Sequence, residues 1–124
     1  RSRICCYLNN FFNLTKRDNP KIIDYGLSEK GGISGKPVQE SSDNLLAHIY
    51  KKEGKRFALI GVGGVFSAED AYKKIRFGAS LVQMITGMIF EGPQVVGEIN
   101  RGLAELLKRD GFSNISEAIE ADMR

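Results

Sequence analysis

Phe57-Ala58-Leu59-Ile60-Gly61-Val62-Gly63-Gly64-Val65-Phe66-Ser67-Ala68-Glu69-Asp70 is the stretch whose reading decides the fold. Its first six residues make a short continuous apolar run, which suits a strand buried on both faces of a parallel sheet. Gly63-Gly64-Val65 is a glycine turn. Ser67 then caps a helix, with Asp70 three residues on, an aspartate variant of the capping box. Ala68, Ala71, Tyr72 and Ile75 form that helix's apolar side, and Gly78 ends it. A strand, a glycine turn and a capped helix in direct succession make the βα half of a parallel βαβ unit.

The pattern continues in both directions. Downstream, residues 80–85 read as a second strand and residues 86–92 as a loop or short turn. Pro93 opens another helix at a position where its missing N–H costs little. Val95, Val96, Ile99, Leu103, Leu106 and Leu107 form its buried face, and Gly111 ends it. Residues 116–123 read as one last short helix. Upstream, the glycine-rich loop Gly31-Gly32-Ile33-Ser34-Gly35-Lys36-Pro37 leads into a helix with Leu45, Leu46, Ile49 and Tyr50 on one face. Gly54 is expected to close it as a C′ residue. Before that loop no period is visible: Phe11, Phe12 and Leu14 are followed by the breaker Lys16-Arg17-Asp18-Asn19-Pro20.

The order helix, strand, helix, strand, helix implies right-handed parallel crossovers. Two strands cannot close a sheet, so the alternatives are an unusually small α/β domain or the end of a larger barrel. In the second case the stripe Val95, Val96, Ile99, Leu103 and Leu106 would expose apolar surface that missing strands should cover. Arg1 in place of an initiating Met fits a sequence that continues upstream.

Composition narrows the function classes. Of 124 residues, 42% are hydrophobic and 27% charged, which is ordinary for a globular protein. The net charge is +3 and the cations are scattered among acids, without the clustered stripe that nucleic-acid binding needs. Cys5 and Cys6 are adjacent and have no further cysteine to pair with, so there is no disulfide framework. His48 is the sole histidine and reads as a partly exposed helix residue, not a zinc ligand. No apolar run is long enough to cross a bilayer as a helix.

In barrels of this type ligands sit where strands hand over to helices. Two handovers occur here, Gly61-Val62-Gly63-Gly64-Val65 and Ile85-Thr86-Gly87. Glycines let backbone N–H groups approach an anion, and a following helix adds its positive N-terminal dipole. A Gly-Gly pair after a strand is equally consistent with a simple tight turn. Neither a dinucleotide fingerprint nor a Walker loop is present, since Phe66 stands where a third glycine belongs and no Gly-Lys-Ser/Thr follows. Glu69, Asp70, Glu98 and Glu105 read as solvated helix-face charges, Lys36 as a solvated loop lysine, and no general base or nucleophile set can be assembled.

Four linked motifs carry a resemblance: the loop at residues 31–37, Ile60-Gly61-Val62-Gly63-Gly64-Val65, Ile75-Arg76-Phe77-Gly78-Ala79-Ser80-Leu81-Val82-Gln83, and Phe90-Glu91-Gly92-Pro93. In this order and spacing they resemble the C-terminal third of class 2, quinone-reducing dihydroorotate dehydrogenases. The ending Ile115-Ser116-Glu117-Ala118-Ile119 favours class 2 over class 1. The resemblance covers residues 28–124 and leaves 1–27 as an unassigned or divergent segment, without the Asn-Thr-Thr strand end usual in the family. It implies the C-terminal part, about the last two strands and their helices, of a (β/α)8 barrel that binds FMN. Such enzymes oxidise dihydroorotate to orotate, with ubiquinone as acceptor, in pyrimidine synthesis. Carried over residue by residue, Gly35 would contact the flavin side of the pocket. Gly63 and Gly64 would receive the FMN phosphate, and Ile85 and Thr86 would add contacts largely through the backbone. Ile85 stands where the family usually has tyrosine. The family's serine base and flavin-contacting lysine have no counterpart in these residues, so the chain alone is expected to be inactive. Mitochondrial inner-membrane placement, with peripheral attachment through a part N-terminal to this sequence, is also implied by resemblance alone. The alternatives are a piece of another phosphate-binding barrel enzyme, or a non-catalytic truncated remnant.

Overall fold

A computed structural model describes residues 3–6 and 33–123. Three parallel strands form one sheet in the order β1 (Arg3–Cys6), β2 (Phe57–Val62), β3 (Ala79–Gln83). The helices are α1 (Gln39–Glu53), α2 (Ala68–Arg76), α3 (Thr86–Glu91), α4 (Val95–Arg109) and α5 (Ile115–Ala118). β2 has the bounds its apolar run predicts. A third strand, β1, lies in the stretch where no period was legible: four residues are too few to show one. Gly31, Gly32 and the breaker at residues 16–20 lie outside the described residues.

Alternation along β2 assigns its faces. Leu59 is fully buried and joins Leu46 of α1 and Ala79 of β3 in one apolar cluster, edged by Phe57, Ile49, Tyr50 and Phe77. Gly61, on the same face, lies against the stem of Lys74 in α2. The register between β2 and β3 shifts at Leu59/Ile60, leaving Ser80 as an extra residue. Ala79 and Val82 consequently pack toward the helices, while Leu81 is 61% exposed on the other side. One face of β2 and β3 is thus covered by helices, and Leu81 stands exposed on the opposite face.

α2 begins as predicted: Ser67 accepts from the Asp70 amide, and Asp70 accepts from the Ser67 amide. Such a cap is worth about 1 kcal/mol. Gly78, at φ +103°, turns the chain from α2 into β3. Its absent Cβ would lie 2.0 Å from the Tyr50 ring, so packing and conformation both require glycine.

The apolar stripe of α4 is not left open. Val95 and Ile99 pack with Val65 and Ala71, and Leu106 packs with Tyr72, Ile75 and Ala118. α4 therefore lies on α2, and a Cβ at Gly102 would come within 2.4 Å of the Ala68 Cβ, which marks a close helix crossing. Burying each large aliphatic side chain here contributes about 1.5–3 kcal/mol. Val96 departs from the expected face and is exposed. It sits one residue, hence about 100° of helix, away from Val95. Three further expectations are corrected. Residues 86–91 form the short helix α3, closed by Gly92 donating to the Met88 carbonyl at 2.9 Å, and not a loop. The last segment is not one helix but α5 followed by a 3-10 turn at Ala121–Met123, separated by extended Ile119 and by Glu120 at φ +68°. Gly54 has φ −41° and continues α1 into a 3-10 turn, so it is not a left-handed cap. Its absent Cβ makes room for the Tyr50 ring at 2.9 Å.

Candidate functional site

The carboxyl ends of β2 and β3 and the loop before α1 converge. Ser34 and Gly35 form one wall of a narrow cleft, Val62 to Val65 the second, and Met84 to Gly87 the third. Gly35, Gly63, Gly64, Ile85 and Thr86, all predicted as binding residues, line it together. Ser34, Val65, Met84 and Gly87 also line it and were not singled out as binding residues.

Each wall has a local reason for its shape. Gly35 has φ +84°, and a Cβ there would enter the cleft 3.1 Å from Thr86 Cγ2 and 3.7 Å from the Phe66 ring. Thr86 Oγ1 donates to Ser34 Oγ at 2.9 Å and joins the first wall to the third. Gly87 is buried against the Val65 carbonyl, where a Cβ would stand 2.1 Å from the oxygen, so the second and third walls touch back to back. Gly63 and Gly64 adopt φ +99° and +72°. A Cβ on Gly64 would not enter the cleft: it would meet Gln39 Cβ at 2.3 Å and Gln39 Cα at 2.6 Å. Gly64 is glycine so that the turn can close on the start of α1. An aspartate there would strike that helix before occupying space meant for an anion.

The cleft lining carries no charged side chain. The first-turn amides of α3 have no acceptor within their own helix. Asp70 is not a solvated helix-face charge. It accepts from the Phe66 amide at 2.9 Å, from Lys36 Nζ at 2.7 Å and from the Gln39 side chain. Burial pushes its carboxyl up, but the hydrogen bonds from Lys36, Gln39 and the Phe66 amide outweigh this and hold it below the usual carboxylate range. Asp70 thereby fastens the residue after Gly35 to the residues after the Gly63-Gly64 turn. Lys36, read from sequence as a solvated lysine, is half-exposed but ion-paired, with Nζ 5.0 Å from the Phe66 ring centre.

Beneath the glycine turn lies a buried polar cluster that sequence reasoning missed. Lys74 is fully buried, and its Nζ reaches Asp43 Oδ1 at 2.7 Å and Ser42 Oγ at 3.0 Å. Ser42 Oγ in turn donates to the Val62 carbonyl. Lys73, half-exposed, pairs with the second Asp43 oxygen at 3.0 Å. His48 is exposed on α1, as expected. Among the described residues no group of three or more His, Cys, Asp or Glu side chains could hold a metal ion.

With this geometry established, comparison with known proteins identifies the family. The family model for dihydroorotate dehydrogenase matches residues 9–107. The chain belongs to the dihydroorotate dehydrogenase family. The match begins at residue 9, inside the segment that sequence reading left unassigned. Dihydroorotate dehydrogenase (quinone) of Anaeromyxobacter dehalogenans (strain 2CP-1) is 50% identical over 97 residues, covering 78% of this chain and 27% of that protein. The Arabidopsis thaliana protein named dihydroorotate dehydrogenase (quinone), mitochondrial, is also 50% identical over 97 residues and is covered over 21% of its length. Among solved structures, ligand-free DHODH from Eimeria tenella aligns with a TM-score of 0.77 at 35% identity, covering 86% of this chain and 30% of that one. The same organism's DHODH in complex with ferulenol aligns with a TM-score of 0.73 at 38% identity. The chain spans about a quarter of the length of these relatives, from 21% to 30%.

Proposed function

We propose that this chain supplies the phosphate-binding strand ends of an FMN-dependent dihydroorotate dehydrogenase that uses a quinone acceptor, in the pyrimidine-forming pathway. The observation that carries this reading is the convergence of Gly35, Gly63, Gly64, Ile85 and Thr86 on one cleft at the carboxyl ends of adjacent parallel strands. The strands follow chain order across the sheet, with helices on one side, as in the wall of a (β/α)8 barrel. A doubly wound sheet would instead reverse its order at the ligand site.

The residues fit the cofactor's phosphate. The lining combines the backbone of Gly35, Gly63, Gly64 and Gly87 with the Ser34 and Thr86 hydroxyls and with apolar Val62, Val65, Met84 and Ile85, and it is free of carboxylates. Gly35 keeps open the space beside Thr86 that a Cβ would fill. Held here, FMN would supply the redox chemistry that links dihydroorotate oxidation to quinone reduction. The chain's own part is to bind and orient. Thr86 and Ser34 fix the mouth, Asp70 locks the first glycine loop to the second, and the Gly63-Gly64 turn presents backbone to the phosphate. None of the lining side chains is a general base, so proton removal from the substrate falls to residues beyond this cleft. Ile85 lines the cleft and is 55% exposed, an apolar side chain suited to contact with an apolar acceptor such as a quinone. Mitochondrial inner-membrane placement is part of this reading, and the name of the Arabidopsis protein, which says mitochondrial, supports it. Among the described residues no helix is long and apolar enough to cross a membrane.

The test is to purify the natural gene product that carries these residues. Flavin absorbance and dihydroorotate-dependent reduction of a soluble quinone are expected. A colourless protein to which added FMN does not bind would refute the reading.

A further inference from the structure

The fully buried Lys74 has no place in the binding set above, yet the fold makes specific room for it. A Cβ on Gly61 would stand 3.0 Å from Lys74 Cδ and 3.1 Å from Lys74 Cβ, so the strand gives up a side chain for the lysine stem to pass. The ammonium then meets Asp43 and Ser42, both buried on α1. A buried ion pair is weak grounds for stability, because apolar residues of the same volume often do as well or better. What this cluster does achieve is directional. Lys74 donates to Ser42 Oγ, which leaves the hydroxyl proton free to point only at the Val62 carbonyl. The Val62–Gly63 peptide is planar, so fixing its carbonyl fixes the orientation of the unit from which the Gly63-Gly64 turn departs.

We infer that Lys74, acting through Ser42, is a positioning residue for the glycine turn and sets that turn's affinity for the cofactor phosphate. The inference rests on the FMN reading above. Asp43 holds the ammonium in place, and the half-exposed Lys73 brings a second ammonium within 3.0 Å of the other carboxylate oxygen, which accepts no hydrogen bond among the described residues.

The experiment uses the natural gene product stripped of flavin and titrated with FMN, following quenching of flavin fluorescence, alongside thermal unfolding. Ser42→Ala removes the hydroxyl while leaving the Lys74–Asp43 pair intact. Lys74→Met with Asp43→Leu removes both charges together and spares the fold an uncompensated buried carboxylate. Both variants are expected to weaken FMN binding about tenfold, the loss of one charge-assisted hydrogen bond. The double variant should do so with a Tm near that of the wild type, a separation that a merely structural role would not produce. Wild-type FMN affinity in Ser42→Ala, or in a double variant of undiminished Tm, would overturn the inference. Should the double variant fail to fold, Ser42→Ala decides. A wild type that binds no FMN would instead refute the functional reading on which the inference stands.

Discussion

Replacing Gly64 with alanine should cost far more stability than the same change at Gly111, although both glycines are left-handed, at φ +72° and +79°. An L-residue in that region is strained by about 1–2 kcal/mol. Alanine also restricts the unfolded chain, which returns about 0.4–1 kcal/mol. At Gly111 an added Cβ meets nothing within 4 Å, so the net loss should be about 1 kcal/mol. At Gly64 the same methyl would stand 2.3 Å from Gln39 Cβ and 2.6 Å from Gln39 Cα. The second contact is backbone, so rotating a side chain cannot relieve it, and the start of α1 must shift. Overpacking of this kind adds about 1–3 kcal/mol, for a total of about 3 kcal/mol at Gly64. Urea unfolding of the two variants and wild type, with a common m-value, measures the difference directly. Equal losses at the two positions would refute the argument that Gly64 is required by the approach of α1. Because α1 and the first glycine loop move with Gln39, FMN content should fall in Gly64→Ala and stay unchanged in Gly111→Ala.

Two further outcomes are expected. Asp70 has a folded pKa below its unfolded value of about 3.9, so its contribution is fully present above about pH 5 and is lost as pH falls through the lower, folded value. Asp70→Asn should therefore lower Tm at pH 6, by the equivalent of about 1 kcal/mol, and the gap to wild type should narrow toward pH 3; a gap that widens on acidification would contradict the direction of the shift. The 124 residues expressed alone should show no dihydroorotate-dependent dye reduction, since no general base lines the cleft, and turnover by that chain would contradict the assignment.

Much of the fold was legible where local chemistry decides it. β2 could be read from an unbroken apolar run, and the start of α2 from Ser67 and Asp70, because caps and runs are settled within a few residues. The grouping of the five residues was legible through the family resemblance, since the glycine pair alone reads equally well as a tight turn, and the structure brings all five together. What sequence could not reveal depends on partners distant along the chain. Lys74 meets Asp43 across 31 positions, and its one local sign is a place between Ala71 and Ile75 on the buried side of α2. The role of Asp70 in joining two loops was hidden in the same way, since its capping function explains it fully at the local level. α3 spans six residues, too few to display a period, and β1 spans four. The stripe on α4 was correctly placed except for Val96 but assigned to the wrong partner: its cover is α2 and α5, which sequence order alone does not identify.

The central claim is that this cleft binds a phosphate, and the most direct measurement compares FMN with riboflavin, which lacks only that group. Several charge-assisted hydrogen bonds, each worth about 1.5–3 kcal/mol, predict that the flavin-stripped protein binds FMN at least about 100-fold more tightly than riboflavin. Gly35→Ala, which places a methyl 3.1 Å from Thr86 Cγ2 on the flavin side of the pocket, should weaken both flavins and leave that ratio largely unchanged. Equal affinity of the wild type for the two flavins would contradict the account.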